Sequence, residues 1–370
     1  MRPFLVCAAL IAAAIGSITG FRAQAPADSP AALKPTGGRG LTEVPGIKVG
    51  SHTLTERLTG CTVILVDGDG VPGGVSQRGG APGTSETDLL HPLNMVDRVN
   101  AVVFAGGSAF GLEARQGVMK YLEENKIGWK VSTGVVPIVP AAILIDLAFG
   151  GKPQVRPTAD CGYRAATAAS TGPVAEGNVG AGAGATVGKM GGGGRSMKGG
   201  LGSAAITLPN GLVVAAIVAV NAVGDVIDPE TGKVIAGART SDGKSLADMR
   251  KVLRGEAQPA GRGGDAPLEN TTIGLVATNA RMTKTEVNRV ALMADDGFAR
   301  AINPSHTTGD GDTVFALATG RWEGQATVNQ IGALAAMALS EAIVRAVSKA
   351  ETANGVPSAT ELGTVPARIK

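Results

Sequence analysis

Glycine constrains this chain more than any other feature. It supplies 55 of the 370 residues, while aromatic residues make up 3%. That is about twice the usual share of glycine. No Gly-X-Y period runs through the sequence, so a collagen-like triple helix is excluded. Hydrophobic residues reach 44%, enough to fill a sizeable core, which excludes global disorder. With so few rings, that core must be built from Ala, Val, Leu and Ile. Elements faced with such small side chains approach closely, and glycine lets backbone touch backbone. The length allows one large domain or two ordinary ones.

The net charge of +3 is too small and too evenly spread for a nucleic-acid-binding surface. His52, His91 and His306 are widely spaced and form no HExxH or HxH metal motif. With three Cys and no CxxC, the chain is neither a disulfide-rich scaffold nor a natural site for structural zinc.

Residues 1–25 read as a secretory signal peptide. Arg2 supplies the positive end, Leu5 to Gly20 is apolar and uncharged, and Ala23-Gln24-Ala25 is a small-x-small cleavage site. The apolar run is ~16 residues, short of the ~20 that span a bilayer, so no stable membrane insertion is expected. The mature protein is expected in the periplasm or outside the cell. Cys7 leaves with the leader. Cys61 and Cys161 remain, either as a disulfide or as two buried thiols. Residues 26–40, rich in Pro, Ala and Gly, read as a disordered lead-in.

Beyond that point strands and helices alternate. Ile47–Val49, Cys61–Val66 and Ala101–Ala105 have strand character. Ser108 is placed to cap a helix from Ala109 to about Asn125, with Val118, Tyr121 and Leu122 as its apolar stripe. Ala204–Leu208 and Leu212–Ala219 flank Pro209-Asn210-Gly211 as a hairpin. Arg239 to Glu269 is polar and Gly-rich, and reads as a flexible surface connector. Thr272–Thr278 follows as a strand. Thr283 and Glu286 form a capping box ahead of Val287, Val290, Ala294 and Phe298 at helical spacing. Thr313–Ala318 is another strand, and a last helix is expected from Ala326 to Lys349.

Two familiar chemistries fail on inspection. Gly182 to Lys189 looks like a phosphate cradle, but Ala183 stands where a P-loop needs Gly. Met190 stands where it needs Ser or Thr. His306 with Asp310 suggests a Ser-His-Asp site, yet no GxSxG elbow accompanies them. The segment Glu269-Asn270-Thr271-Thr272-Ile273 has a different logic, because a polar connector runs into an apolar strand with hydroxyls at the junction. A chain cut before Thr271 would expose an α-amine, whose pKa lies near 7.7–8. That amine sits on the same residue as the hydroxyl and can activate it without His or metal. Thr272 is the rival hydroxyl, and a plain strand start is the alternative to both.

Several long motifs occur in order: Ser76 to Asp88, Ala105 to Leu112, Val136 to Ile143, Asn270-Thr271-Thr272 and Gly309-Asp310-Gly311-Asp312-Thr313. Together the chain resembles the L-aminopeptidase/D-esterase (D-amidase) family of self-cleaving N-terminal-nucleophile hydrolases. That family includes the nylon-oligomer (6-aminohexanoate-oligomer) endohydrolases and the β-peptidyl aminopeptidases. The resemblance spans Leu41 to Lys349. It implies an α/β fold, specifically a four-layer α/β/β/α sandwich. It also implies a single hydrolase domain over residues 41–370, cut into chains 26–270 and 271–370 that stay together, usually in a homo-oligomer. No cofactor or metal is implied.

The resemblance assigns Thr271 as the nucleophile freed by cleavage after Asn270. Asn221 becomes the amide that steadies the oxyanion, and Lys189 the cation that keeps the α-amine neutral. Asp310 and Asp312 become the acids that orient the amine and hydroxyl. The Glu-x-Tyr substrate clamp of some relatives has no counterpart near Val135 to Asp146. The implied substrates are short peptides, amino acid amides or esters, with β-peptides and nylon oligomers as candidates. Two other readings remain open. One is an acyltransferase resembling ornithine acetyltransferase with the same Thr nucleophile. The other is an uncleaved, non-enzymatic binding protein.

Overall fold

The computed structural model describes residues 38–192, 194–257 and 270–369. The expected signal peptide, nearly all of the expected lead-in, and residues 258–269 of the expected connector lie outside the described residues.

Alternation of apolar side chains along the strands explains the layering. Val213, Ala215, Ile217 and Ala219 pack with Ile64 and Phe104 in one apolar cluster. Their neighbours Val214, Ala216, Val218 and Val220 pack with Leu339 and Ile343 in another. A strand buried on both faces must lie between two layers. The strand Val213–Asn221 belongs to a six-stranded sheet in the order Gly200–Thr207, Val213–Asn221, Thr271–Thr278, Thr313–Ala318, Val71–Gln77, Arg98–Val99. The facing sheet has five strands, ordered Ile47–Leu54, Thr59–Val66, Ala101–Ala105, Ala141–Ile143, Thr84–Ser85. On its outer face Cys61, Val63 and Leu65 meet Val118 and Leu122 of the helix Ala114–Glu124, and Ala165 of the helix Ala159–Thr167. Helix, sheet, sheet, helix is the expected four-layer sandwich. The helix Val328–Ser348 is long and apolar enough to cross a membrane, but it is a core helix, with Ala335, Leu339, Ile343 and Val347 all buried.

Glycine works where layers touch. A Cβ on Gly117 would lie 1.7 Å from the Ala159 carbonyl oxygen, and one on Gly162 would lie 1.8 Å from that of Ala114. The two outer helices therefore meet backbone to backbone.

The capping box forms as expected on the helix Lys284–Ala294, and the Ala204–Leu208 hairpin pairs as Gly200–Thr207 with Val213–Asn221. Three expectations are corrected. Ser108 does not cap a helix: it has φ +56, makes no capping bond, and lies in a 3₁₀ stretch from Ser108 to Glu113 that delays the α-helix to Ala114. Phe298 sits on a separate short helix, Asp296–Ala301, not at the end of the Lys284–Ala294 helix. The connector is ordered through residue 257. The buried Asp225 carboxylate accepts from Ala238 N at 2.7 Å and Met249 N at 2.8 Å, pinning the start of the helix Met249–Leu253. The state of the two cysteines, left open by the sequence, is a disulfide: Cys61 of the strand Thr59–Val66 is joined to Cys161 of the helix Ala159–Thr167.

Gly202 gives a direct test of sheet–helix packing. Its Cβ would fall 2.2 Å from the Ala342 carbonyl oxygen of the long helix. Gly202→Ala is expected to cost about 1–3 kcal/mol as an overpacked core site. The urea midpoint should fall accordingly, and an unchanged midpoint would show that the helix slides to make room.

Candidate active site

Thr271 opens a central strand and pairs directly with Asn221, the last residue of the neighbouring strand. Ile273 and Leu275 on one strand, with Ile217 and Ala219 on the other, line the space between the sheets. Side chains alternate along a strand, so Thr271 and Asn221 face that same space at its end. Thr272 faces the helix layer with Gly274, beside Phe298 and Leu339. Its hydroxyl oxygen is buried and has no hydrogen-bond partner among the described residues. The two hydroxyls that sequence alone left as rivals thus point to opposite sides of the sheet.

Around Thr271 the packing is close. Its hydroxyl donates to the Asn270 carbonyl oxygen. Gly311 N donates to that same oxygen at 3.1 Å. A Cβ on Gly311 would lie 2.6 Å from Thr271 Oγ1 and 2.9 Å from the Ala81 carbonyl oxygen, so only glycine fits beside the hydroxyl.

The Gly-rich tract rejected as a phosphate cradle folds over the end of the Asn221 strand. Gly188 N donates to the Gly224 carbonyl at 2.9 Å, and Gly188 itself has φ +75. This turn delivers Lys189, whose Nζ donates to Asn221 Oδ1 at 2.7 Å and to the Asn221 carbonyl at 3.3 Å. Thr186 N also donates to Asn221 Oδ1, at 3.0 Å, while Asn221 Nδ2 donates to the Ile145 carbonyl at 3.0 Å. Three elements therefore fix the plane of one amide. Lys189 is not a solvated surface lysine.

Asp310 and Asp312 flank Gly311, and both are 2% exposed. Asp312 Oδ1 accepts from Thr272 N at 2.8 Å and its Oδ2 from His306 N at 3.0 Å. Asp310 Oδ2 accepts from Thr307 N at 2.8 Å and Thr307 Oγ1 at 2.6 Å. Burial, followed by the neighbouring charge of Asp312, pushes the Asp310 carboxyl above its ordinary value, against the Thr307 bonds and the charge of Lys189. Thr271, Asn221 and Lys189 thus meet at one end of the inter-sheet space, Asp310 lies close enough for the charge of Lys189 to act on it, and Asp312 holds the Thr272 backbone from the side of His306 and Phe298.

The sequence reading missed the residues behind them. Ile145, which holds the Asn221 amide, precedes the fully buried Asp146. That carboxylate is paired with Arg57 at 3.2 Å, and accepts from Thr59 Oγ1 at 2.6 Å and Gly107 N at 2.8 Å. Such a network between residues far apart in the chain carries no local spacing signal.

The model of peptidase family S58 matches residues 39–360. The chain belongs to peptidase family S58. An uncharacterized aminopeptidase of Mycobacterium leprae is 42% identical over 348 residues, covering 86% of this chain and 92% of the relative. A 6-aminohexanoate-oligomer endohydrolase of Kocuria is 30% identical over 318 residues, covering 82% of this chain and 84% of the relative. Among solved structures, a Burkholderia beta-aminopeptidase superposes with TM-score 0.64 at 22% identity, covering 90% of this chain and 94% of the other. The L-aminopeptidase D-Ala-esterase/amidase of Ochrobactrum anthropi, described as a variant of the Ntn hydrolase fold, superposes with TM-score 0.64 at 18% identity. It covers 90% of this chain and 97% of that one. These likenesses establish the fold and make this S58 chain a peptidase-type hydrolase.

Gly311→Ala follows from the packing around Thr271. The added methyl must displace the hydroxyl or the Ala81 backbone, so if Thr271 is a reacting group hydrolase activity is expected to fall about 100-fold or more. The melting temperature should fall only by the few degrees that an overpacking cost of about 1–3 kcal/mol brings, leaving the enzyme folded at the assay temperature. Turnover near the parent rate would show that the Thr271 hydroxyl does not need its present position.

Proposed function

We propose that this S58 chain is a self-processing N-terminal-nucleophile hydrolase. Its Thr271 would attack short peptides, amino acid amides or esters. One observation carries the reading. The Thr271 hydroxyl lies against the Asn270 carbonyl at the end of the inter-sheet space, with the Asn221 amide directly across the strand pair. The near relation to named aminopeptidases supports removal of an N-terminal residue. The named nylon-oligomer hydrolases keep linear ω-amino amides among the substrates to test.

The chemistry runs in two stages. In the precursor, Thr271 Oγ1 adds to the Asn270 carbonyl carbon, the Asn270–Thr271 C–N bond breaks, and an ester forms on the hydroxyl. Water then hydrolyses the ester, leaving the Asn270 carboxylate and a free Thr271 amine. Gly311 N–H already touches the Asn270 carbonyl oxygen and would meet the first oxyanion. In the mature enzyme the amine takes the hydroxyl proton as the oxygen attacks the substrate carbonyl, and returns it to the leaving amine. Water then releases the acyl group. The Asn221 amide, its oxygen side held by Lys189 and Thr186 N, serves as oxyanion donor in this second stage.

Secretion belongs to the same reading. The Cys61–Cys161 disulfide suits an oxidising compartment, and native protein is expected to begin near Pro26. Assembly of the cut chains into a homo-oligomer is part of the proposal.

The decisive measurement is terminal sequencing with a denaturing gel. The mature protein should give chains 26–270 and 271–370, and Thr271→Ala should stay whole and inactive. A second chain starting at Thr272, or an uncut active protein, sinks the assignment.

Asn221→Ala separates the two stages. Losing one oxyanion donor lowers kcat by ~10²–10³, so a pre-cut, two-chain Asn221→Ala enzyme should fold but turn over that much more slowly. Self-cleavage of the precursor, with Gly311 N–H still present, should be slowed less. If both rates stayed within about threefold of the parent while stability fell, Asn221 would be only a structural residue.

A further inference from the structure

Behind Asp312 stand charged groups that the cleavage chemistry does not use. His306 Nδ1 lies 3.1 Å from Asp312 Oδ2, and its Nε2 lies 3.4 Å from Asp295 Oδ1. Asp295 sits at the junction of two helices with its side chain fully buried. Its Oδ2 accepts from Ser76 Oγ at 2.6 Å and lies 3.4 Å from Arg78 Nε. His306 has φ +57, a left-handed backbone that brings its N–H onto Asp312 Oδ2 at 3.0 Å. The ring is further held at 5.9 Å from Phe298. Asp312 in turn holds Thr272 N, one residue from the hydroxyl.

We propose that His306 and Asp295 are positioning residues of this site: a charged imidazole, braced by a buried carboxylate, holds Asp312 in place under the Thr271–Thr272 backbone. The proposal rests on the reading of Thr271 as nucleophile. Asp312 is buried beside the Asp310 carboxylate, and His306 is the basic side chain in contact with it. Burial alone disfavours the charged imidazole. The contacts with Asp312 and Asp295 outweigh that and Arg78's opposing charge, so the pKa lies above its ordinary value. Burial pushes Asp295 up to about 6. The charged pair therefore exists from about pH 6 up to the point where His306 gives up its proton, and it is lost as pH rises past that point.

A turn residue needing only a left-handed backbone would be served as well by asparagine, which tolerates that conformation. His306→Asn keeps the turn and removes the charge. The rate to measure is kcat/KM from pH 5.5 to 9.5, on L-alanyl or β-alanyl p-nitroanilide, whichever the parent cleaves faster. The parent should exceed His306→Asn about tenfold near neutral pH. The two should converge to within about twofold at the alkaline end, once the parent's imidazole is neutral. A ratio that is constant with pH, or equal rates throughout, overturns the proposal. If His306→Asn does not fold, Asp295→Asn takes its place. Its His306 C2-proton titration, followed by NMR, should drop by about one pH unit or more on loss of the neighbouring charge. The alkaline fall of kcat/KM in Asp295→Asn should begin at a pH lower than in the parent by about the same amount. An unmoved titration overturns the proposal. Thr271→Ala, run alongside, keeps the two ideas apart. If that variant still cleaves the anilide, the nucleophile reading fails whatever His306 does. If it is inactive while His306→Asn behaves as parent, only the positioning role fails.

Discussion

Everything at this site depends on the register between Val213–Asn221 and Thr271–Thr278. Pairing Val214 with Thr278 at one end puts Asn221 opposite Thr271 at the other. A slip of one residue would turn every side chain of a strand to the wrong face. Thr272 would then replace Thr271 between the sheets, and the apolar sets that separate the layers would be exchanged. Both faces of these strands are buried in dense apolar clusters, so such a slip is prohibited over the whole length of the pairing. The geometry of the candidate site is thus held by the same burial that stabilises the fold.

Small residues make this precision possible. The inner strand reads Val-Val-Ala-Ala-Ile-Val-Ala-Val-Asn, with every position buried. Glycine at 117 and 162 removes the side chain where two helix backbones would collide, and glycine at 202 does so where sheet meets helix. Closer layers leave little room at the sandwich end, and Gly311 shows the consequence, since even a methyl there would reach Thr271 Oγ1. The glycine content that first bounds the sequence is therefore continuous with the shape of the site. It does not reflect an unfolded or repetitive chain.

Much of this was legible in the sequence, and the parts that were not share a cause. The strand Thr313–Ala318 and the capping box at Thr283 announce themselves because their signals are local: apolar runs, turn residues and a four-residue cap. Thr271 and Thr272 are indistinguishable by composition, and only pairing partners decide which faces the inter-sheet space. Asp146 with Arg57, and Asp295 with His306, are contacts between distant segments with no periodicity to betray them. Ser108 misled for a related reason. Gly-Gly-Ser before a helical run is a fair cap signal, but Gly106 must pass close to Asp146 and Thr59. That tertiary demand bends the chain into a left-handed turn at Ser108 instead.

The order of strands in the six-stranded sheet bears on what a cut before Thr271 would do. Thr271–Thr278 and Thr313–Ala318 lie side by side at its centre, paired in parallel with each other. Val213–Asn221 flanks them on one side and Val71–Gln77 on the other, both from the segment before the cut. The proposed small chain is therefore clasped on both edges by backbone ladders, and its helices Lys284–Ala294 and Val328–Ser348 cover the outer face of the same sheet. Cutting one peptide bond removes none of these pairings. On the other side of the gap Asp225 anchors Ala238 and Met249 independently. Separating the two chains would expose two central strands and the apolar face above them, at roughly 25 cal/mol for each Å² uncovered. A fold built this way can open its chain before Thr271 and remain assembled, and the same ladder that would hold the pieces together would keep the new terminus opposite Asn221.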